Sequence, residues 1–429
     1  MDWAELPVDL PIQFVVRLTV IDWLKFRAVC TAWRHAAKLA LGSGRRPKPE
    51  PPWLMLPGRR TDRTTASFLS FSDDGHRLRT AILPEPAIQS RMWIGSAHGW
   101  VVTADEEFSL HLLNPVTGAQ LRLPCITTMG FFYALPRTED GRAAGFLFHH
   151  SSFLALHWPE ERASAFPPDE LPIDRMPLRF LRKAVPLRDP SGSGEYFVMM
   201  IHGPMFKLAF ARQKDAKWVI LPSPYQFHDA ILYRGQLYTM TACGALLVWE
   251  PDGETFKSRV AVAEHDEGEE YVCFKKYLAE SLDGDLVLIW RERRSSRGED
   301  DSSASDEEND DYDDDYAEPD PTVGFQVFVL RQGCQGSEWK EVHDLGGAAL
   351  FIGYSSAVFF PAAGSPNLQA DCIYFTDDNI SIAWRRKEEP RDMGVFNMKN
   401  KALTVMSTVD QHFNNWPPPI WVTPSIDIV

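Results

Sequence analysis

The residue types that do chemistry are present in this 429-residue chain, but not at the spacings that chemistry requires. His149-His150 with His157 is the nearest approach to a metal cluster. It lacks zinc-ligand spacing and a neighbouring carboxylate pair, so ordinary surface or strand histidines are the expectation. Asp313-Asp314-Asp315 would attract divalent cations only weakly, because an unstructured run offers no fixed coordination geometry. The chain has no GxxxxGK[ST] loop, no GxSxG elbow, no HExxH and no GxGxxG at a strand–helix junction. Gly192-Ser193-Gly194 reads as a flexible turn. No catalytic residue, metal or cofactor is therefore assigned, and the chain reads as a non-enzyme. Ser303 and Ser305 each have an acidic residue three positions on (Asp306, Glu308), which resembles an acid-directed kinase site.

The formal net charge of −15 argues against a nucleic-acid platform, but its distribution is more informative. Residues 299–320 hold 13 Asp or Glu and no Lys or Arg, which leaves −2 for the remainder. This tract, within an insert spanning 297–321, is too polar to offset its own ordering entropy and reads as disordered. Basic residues come in scattered groups (Arg45-Arg46, Arg59-Arg60, Arg293-Arg294, Arg385-Arg386-Lys387) without aromatic interleaving. The six cysteines lie far apart with no CxxC pair, and the N-terminus has no signal-peptide pattern, so a reducing nuclear or cytoplasmic compartment is expected. The charge-free run 345–370 is broken by Gly346, Gly347, Gly353, Pro361, Gly364 and Pro366, which favours strands over a membrane helix.

The elements that carry function begin with three helical signals in Glu5–Ala37. Asp9 can cap a helix with Leu10, Phe14 and Leu18 one turn apart, with Pro11 tolerated in its first turn. Asp22 can cap a second from Trp23 to Ala28, and Val29, Trp33 and Ala37 share a face of a third. So few residues bury too little apolar area to be comfortable alone, which points to an outside partner.

Leu6-Pro7-x-Asp9-Leu10, Val16-Arg17-Leu18, Asp22, Leu24 and Arg27-Ala28-Val29-Cys30-x-x-Trp33-Arg34 closely resemble the F-box motif. The resemblance implies docking on the Skp-type adaptor of a cullin-RING (SCF-type) ubiquitin ligase, and through it on the cullin and RING subunits. The expected adaptor contacts are Leu6, Pro7, Leu10, Val15, Leu18, Val29 and Trp33. Pro11 and Trp23 depart from the family pattern. They support a second reading, a non-degradative propeller scaffold or ligand- or glycan-binding protein with a weakened F-box.

After a Gly- and Pro-rich linker at 42–52, short β-type runs recur with turn residues between them. They group into four-strand meanders, the signature of a β-propeller. Six blades are counted within 53–429, with five or seven also compatible, because 125–178 reads as an irregular excursion. Ile420-Trp421-Val422 is expected to complete the first blade and close the ring. Lys207–Arg212 followed by Lys217-Trp218, Ala349–Gly353 leading to Cys372–Asp378, and Gly394–Asn397 resemble plant F-box proteins with a KIB-type, kelch-like propeller. The expectation is an all-α F-box module at 1–41 followed by an all-β propeller, acting as a substrate receptor for an unknown protein client bound at the propeller rim.

Overall fold

A computed structural model describes residues 9–58, 62–72, 75–157, 167–188, 196–252, 255–263, 275–294, 321–333, 336–406 and 415–426. Three helices lead: α1 (Asp9–Val15), α2 (Val20–Val29) and α3 (Thr31–Gly42). Strands follow from Trp53 onward, in seven sheets among the described residues.

Six of the sheets form a closed ring of blades. Blade one combines Trp53–Pro57, Thr65–Ser72 and Gly75–Ile82 with the C-terminal Ile420–Val422. Leu54 faces Trp421 and Met55 faces Ile420 in antiparallel register, as expected for a ring sealed by joining both ends of the chain. Blade two runs from Met92–Ala97 to Gln120–Arg122, blade three from Leu181–Pro186 to Val219–Leu221, and blade four from Phe227–Tyr233 to Thr255–Val262. Blade five runs from Lys275–Glu280 to Gly336–Val342. The alternating apolar positions of each sheet bury against the neighbouring blade. Phe325 meets Phe375 between blades five and six, and Phe71 and Trp421 meet Phe351 between blades one and six. Blades two and three approach so closely that a Cβ on Gly95 would lie 1.9 Å from the Ala184 carbonyl oxygen.

Blade six departs from a simple meander. The apolar run from Leu350 to Phe360 is divided between two strands, Ala348–Ile352 and Val358–Pro361, and the first pairs in parallel with Cys372–Phe375. The break falls at Gly353, whose φ of +155° suits glycine and where a Cβ would lie 2.1 Å from Thr376 Oγ1. Ser356 N–H then donates to the Ser96 carbonyl at 2.8 Å, so this turn reaches blade two.

The seventh sheet (Phe132–Ala134, Gly145–Phe148, Asp169–Pro172) has three strands and lies within the 125–178 stretch. It packs through Phe132 and Phe146 onto Phe180 and Phe108. Short helices at His150–His157, Met176–Arg179 and Ile380–Arg385 interrupt the strands, where none was expected. Among the described residues no helix is long and apolar enough to cross a membrane, and the 345–370 run forms blade-six strands.

Candidate functional site

The helical module is fixed by caps that differ from the simplest sequence reading. Thr19, not Asp22, caps α2: its hydroxyl accepts from Asp22 N–H at 3.1 Å and donates to the Asp22 carboxylate at 2.9 Å. Thr19 thus satisfies one backbone donor of the first turn, and the Asp22 carboxylate holds the Thr19 hydroxyl in place. The Cys30 thiol caps α3 by accepting from Trp33 N–H at 3.4 Å. Val29 therefore ends α2 and does not belong to the third helix, whose buried face is Ala36, Ala37 and Ala40.

The module's interior comes from Val15, Val20, Trp23, Phe26, Ala37 and Ala40, with the Trp33 ring tilted by 30° against Phe26 at a centroid distance of 4.6 Å. Val15 is 0% exposed. It thus corrects the expectation of a partner contact, because its side chain is already spent on the chain's own core. Trp23 is likewise taken up inside, with the Arg27 guanidinium 5.1 Å from its ring centroid.

Left over on the outside are Leu10 (41% exposed), Phe14 (49%), Val16 (48%) and Val29 (61%), together with Leu39. Leu10 and Phe14 stand one turn apart on α1, so their side chains are neighbours. Leu18 and Trp33 are half-buried, and Leu6 and Pro7 lie outside the described residues. Phe14 and Val16 are exposed apolar side chains that the expected set did not include, although the i, i+4 spacing from Leu10 to Phe14 was visible in the sequence.

The 42–52 linker does not act as a free spacer. Lys48 N–H donates to the Leu18 carbonyl at 2.9 Å, and Val20 N–H donates to Glu50 Oε1 at 2.6 Å. Burial pushes the Glu50 carboxyl up, while the bond it accepts from Val20 N–H pulls the other way. The helices are thereby tied to the first strand of blade one.

The histidines do not assemble a metal centre. His150 Nε2 lies 2.7 Å from Asp169, whereas buried His157 accepts from Ser223 N–H through Nδ1. Among the described residues no group of three potential ligands occurs. Asp313–Asp315, Ser303, Ser305 and Gly192–Gly194 lie outside the described residues. Trp100, Trp218, Trp249 and Trp290 are buried.

Sequence reasoning missed an ionic network inside the ring. Asp229, on blade four, receives Lys183 of blade three at 2.7 Å and the Leu278 N–H of blade five at 2.9 Å. One carboxylate thus ties three blades. Arg291, fully buried on blade five, donates to the Thr376 carbonyl and to Asp392 of blade six and forms an ion pair with Asp378. Burial opposes the Arg291 charge, but Asp378, Tyr277 and Asp392 outweigh it and hold its pKa above the usual range. Burial likewise pushes Asp378 up, yet Arg291, Arg293 and Lys275 hold it well below the usual carboxylate range. The available signal was a charged residue inside an apolar run, as in Leu181-Arg182-Lys183-Ala184-Val185 and Leu288-Ile289-Trp290-Arg291.

Comparison with known proteins agrees with this architecture. The KIB1-4 beta-propeller family model matches residues 68–397. The F-box protein SKIP23 of Arabidopsis thaliana is 25% identical, with 99% of this chain and 96% of that protein covered. The F-box protein At2g17036 of the same plant is 22% identical over 100% of this chain and 96% of its own length. The F-box protein KIB4, also of Arabidopsis thaliana, is 22% identical over 87% and 82% respectively. A ring of six blades, five of four strands and one of five, follows three short helices; matched over most of its length by that model, the chain belongs to the KIB1-4 β-propeller family, and the relatives it resembles are named F-box proteins of Arabidopsis thaliana.

Proposed function

We propose that this chain is the substrate-recognition subunit of an SCF-type cullin-RING ubiquitin ligase. The observation that carries the reading is the apolar set Leu10, Phe14, Val16 and Val29, left exposed after the helical module has filled its own core with Val15, Val20, Trp23 and Phe26. Exposed apolar side chains clustered on so small a module favour a protein partner. The F-box names of the relatives suggest the Skp-type adaptor, with cullin and RING subunits recruited through it.

In this reading the propeller holds a protein client on loops set on a rigid scaffold. The chain contributes position, not bond-making: a tethered client meets the charged conjugating enzyme at high effective concentration. The same reading places the protein in the nucleus or cytoplasm, without a cofactor. The second reading, a weakened F-box, loses one support, because Trp23 sits inside the module and leaves the exposed face unobstructed. Co-purification with a Skp-type adaptor is the test. Leu10→Asp with Phe14→Asp should abolish capture while circular dichroism and melting temperature stay unchanged. Capture equal to wild type would overturn the proposed face.

A further inference from the structure

Two tryptophans that the helical module and the interior ties do not use meet where blade six leads back to the closing strand. Trp384 lies in the short helix Ile380–Arg385, which Asn379 caps by accepting from Ile382 N–H at 3.2 Å. Trp416 precedes the closing strand Ile420–Val422. The two indoles stand edge to face, with centroids 5.1 Å apart and planes at 79°. Lys387, the last of the run Arg385-Arg386-Lys387, reaches both: its Nζ lies 3.6 Å from the Trp384 ring centroid and 5.2 Å from that of Trp416. Among the described residues this ammonium makes no hydrogen bond or ion pair. Burial pushes its pKa down, opposed by the charge of Glu106, which is itself paired with Arg63 at 2.8 Å.

The two walls are set by a buried group. Arg391, 6% exposed, donates through Nη2 to the carbonyls of Ala383 (3.2 Å), Arg386 (3.0 Å) and Lys387 (3.2 Å). Through Nε it donates to the Asn415 carbonyl at 2.8 Å, and Asn415 Nδ2 donates to the Glu388 carbonyl at 3.0 Å. One guanidinium thus fixes the residue before Trp384 and the residue before Trp416. The placement of the rings does not need the Lys387 side chain. Both rings and Lys387 are half-buried, so solvent reaches the group.

Two nearly perpendicular indoles against one cation are the arrangement that recognises methylated and quaternary ammonium groups. A primary ammonium is a poor permanent occupant. It is strongly hydrated, and against two rings it gives up water without gaining a hydrogen bond. A trimethylammonium group keeps the charge but has no N–H to satisfy, so exchange returns Lys387 to water at little cost to the newcomer.

We propose that Trp384 and Trp416 form a cage for a trimethylated lysine side chain of a protein partner, with Lys387 as its internal stand-in. Lys387 delivers its cation on a four-carbon stem, and a methylated lysine has the same stem, which favours it over choline. The proposal does not rest on the adaptor reading.

The test is titration of the full chain, labelled with fluorotryptophan and followed by fluorine NMR. The probe is an alanine–glycine peptide carrying one central trimethyllysine. Saturable shifts are expected in two signals, those lost in Trp384→Leu and Trp416→Leu. The unmethylated peptide and choline should each bind roughly tenfold more weakly. Lys387→Gln removes the internal occupant and should tighten peptide binding severalfold, whereas Trp384→Leu should abolish it. Melting temperatures check folding, and Lys387→Gln carries the test if the tryptophan variants unfold. No saturable shift in Lys387→Gln, weaker binding by that variant than by wild type, or equal affinity for the unmethylated peptide would overturn the proposal. Tighter binding of choline, or of phosphatidylcholine vesicles, than of the peptide would overturn the protein-partner assignment.

Discussion

The helices and the ring solve the problem of burial in opposite ways. The ring closes on itself: Ile420–Val422 pairs with Trp53–Pro57, and apolar faces are covered blade against blade. Its interior can therefore hold charge, and Arg291, Lys183 and Asp229 sit there almost fully buried. The helical module has no such closure. It completes a small core and still leaves Leu10, Phe14, Val16 and Val29 in solvent. A closed element can bury paired charges, whereas an open one leaves apolar surface exposed.

That contrast fixes how each region should respond to substitution. The largest effect belongs to the ring. Asp229→Ala removes the carboxylate shared by Lys183 and the Leu278 N–H, and breaking a buried pair in this way costs about 3–5 kcal/mol. Urea unfolding should show that loss.

Acid should also act through the ring. His202 is 0% exposed among Phe131, Phe153 and Phe180, and burial pulls its pKa down to about 4. The unfolded chain takes up this proton near the ordinary value of about 6.5, which the folded chain refuses. Stability is thus lost as pH falls from about 6.5 toward 4, by about 3 kcal/mol from this residue. His157, pulled down to about 3 by burial, Lys207 and His202, acts in the same direction. Melting temperature against pH should flatten over that window in His202→Gln.

Next come the helices, where two valines sharpen the comparison. Val15→Ala opens a cavity in the module core and should cost about 2 kcal/mol. Val29→Ala, at an exposed position, should change stability by less than about 0.5 kcal/mol yet weaken adaptor binding. Equal melting shifts in the two variants would erase the distinction between core and partner face. A smaller loss than that of Val15→Ala is expected for Thr19→Ala, which removes the α2 cap and should cost about 1 kcal/mol.

Local pattern made much of this legible. Trp100–Ala104, Gln236–Thr241 and Cys372–Phe375 were bounded by turn residues and fall where their apolar runs predict. The closing strand was readable because a ring requires its edges paired. What failed was information that only three-dimensional neighbours supply. Val15 and Leu10 are both apolar helix residues, and only the placement of α3 against α1 decides which one is inside. Thr19 competed with Asp22 for the same cap, and both are good capping residues. The split at Gly353 depends on Thr376, distant in sequence, and one-residue β-bulges at Arg182 and His228 leave no composition signal.

The account rests on the exposed apolar set of the helical module, and direct binding of the full chain to a purified Skp-type adaptor addresses it most directly. Wild type should bind saturably, and Leu10→Asp with Phe14→Asp should weaken binding about a hundredfold or more with its fold intact, a loss of about 2.7 kcal/mol. Undiminished affinity in that folded variant would contradict the account.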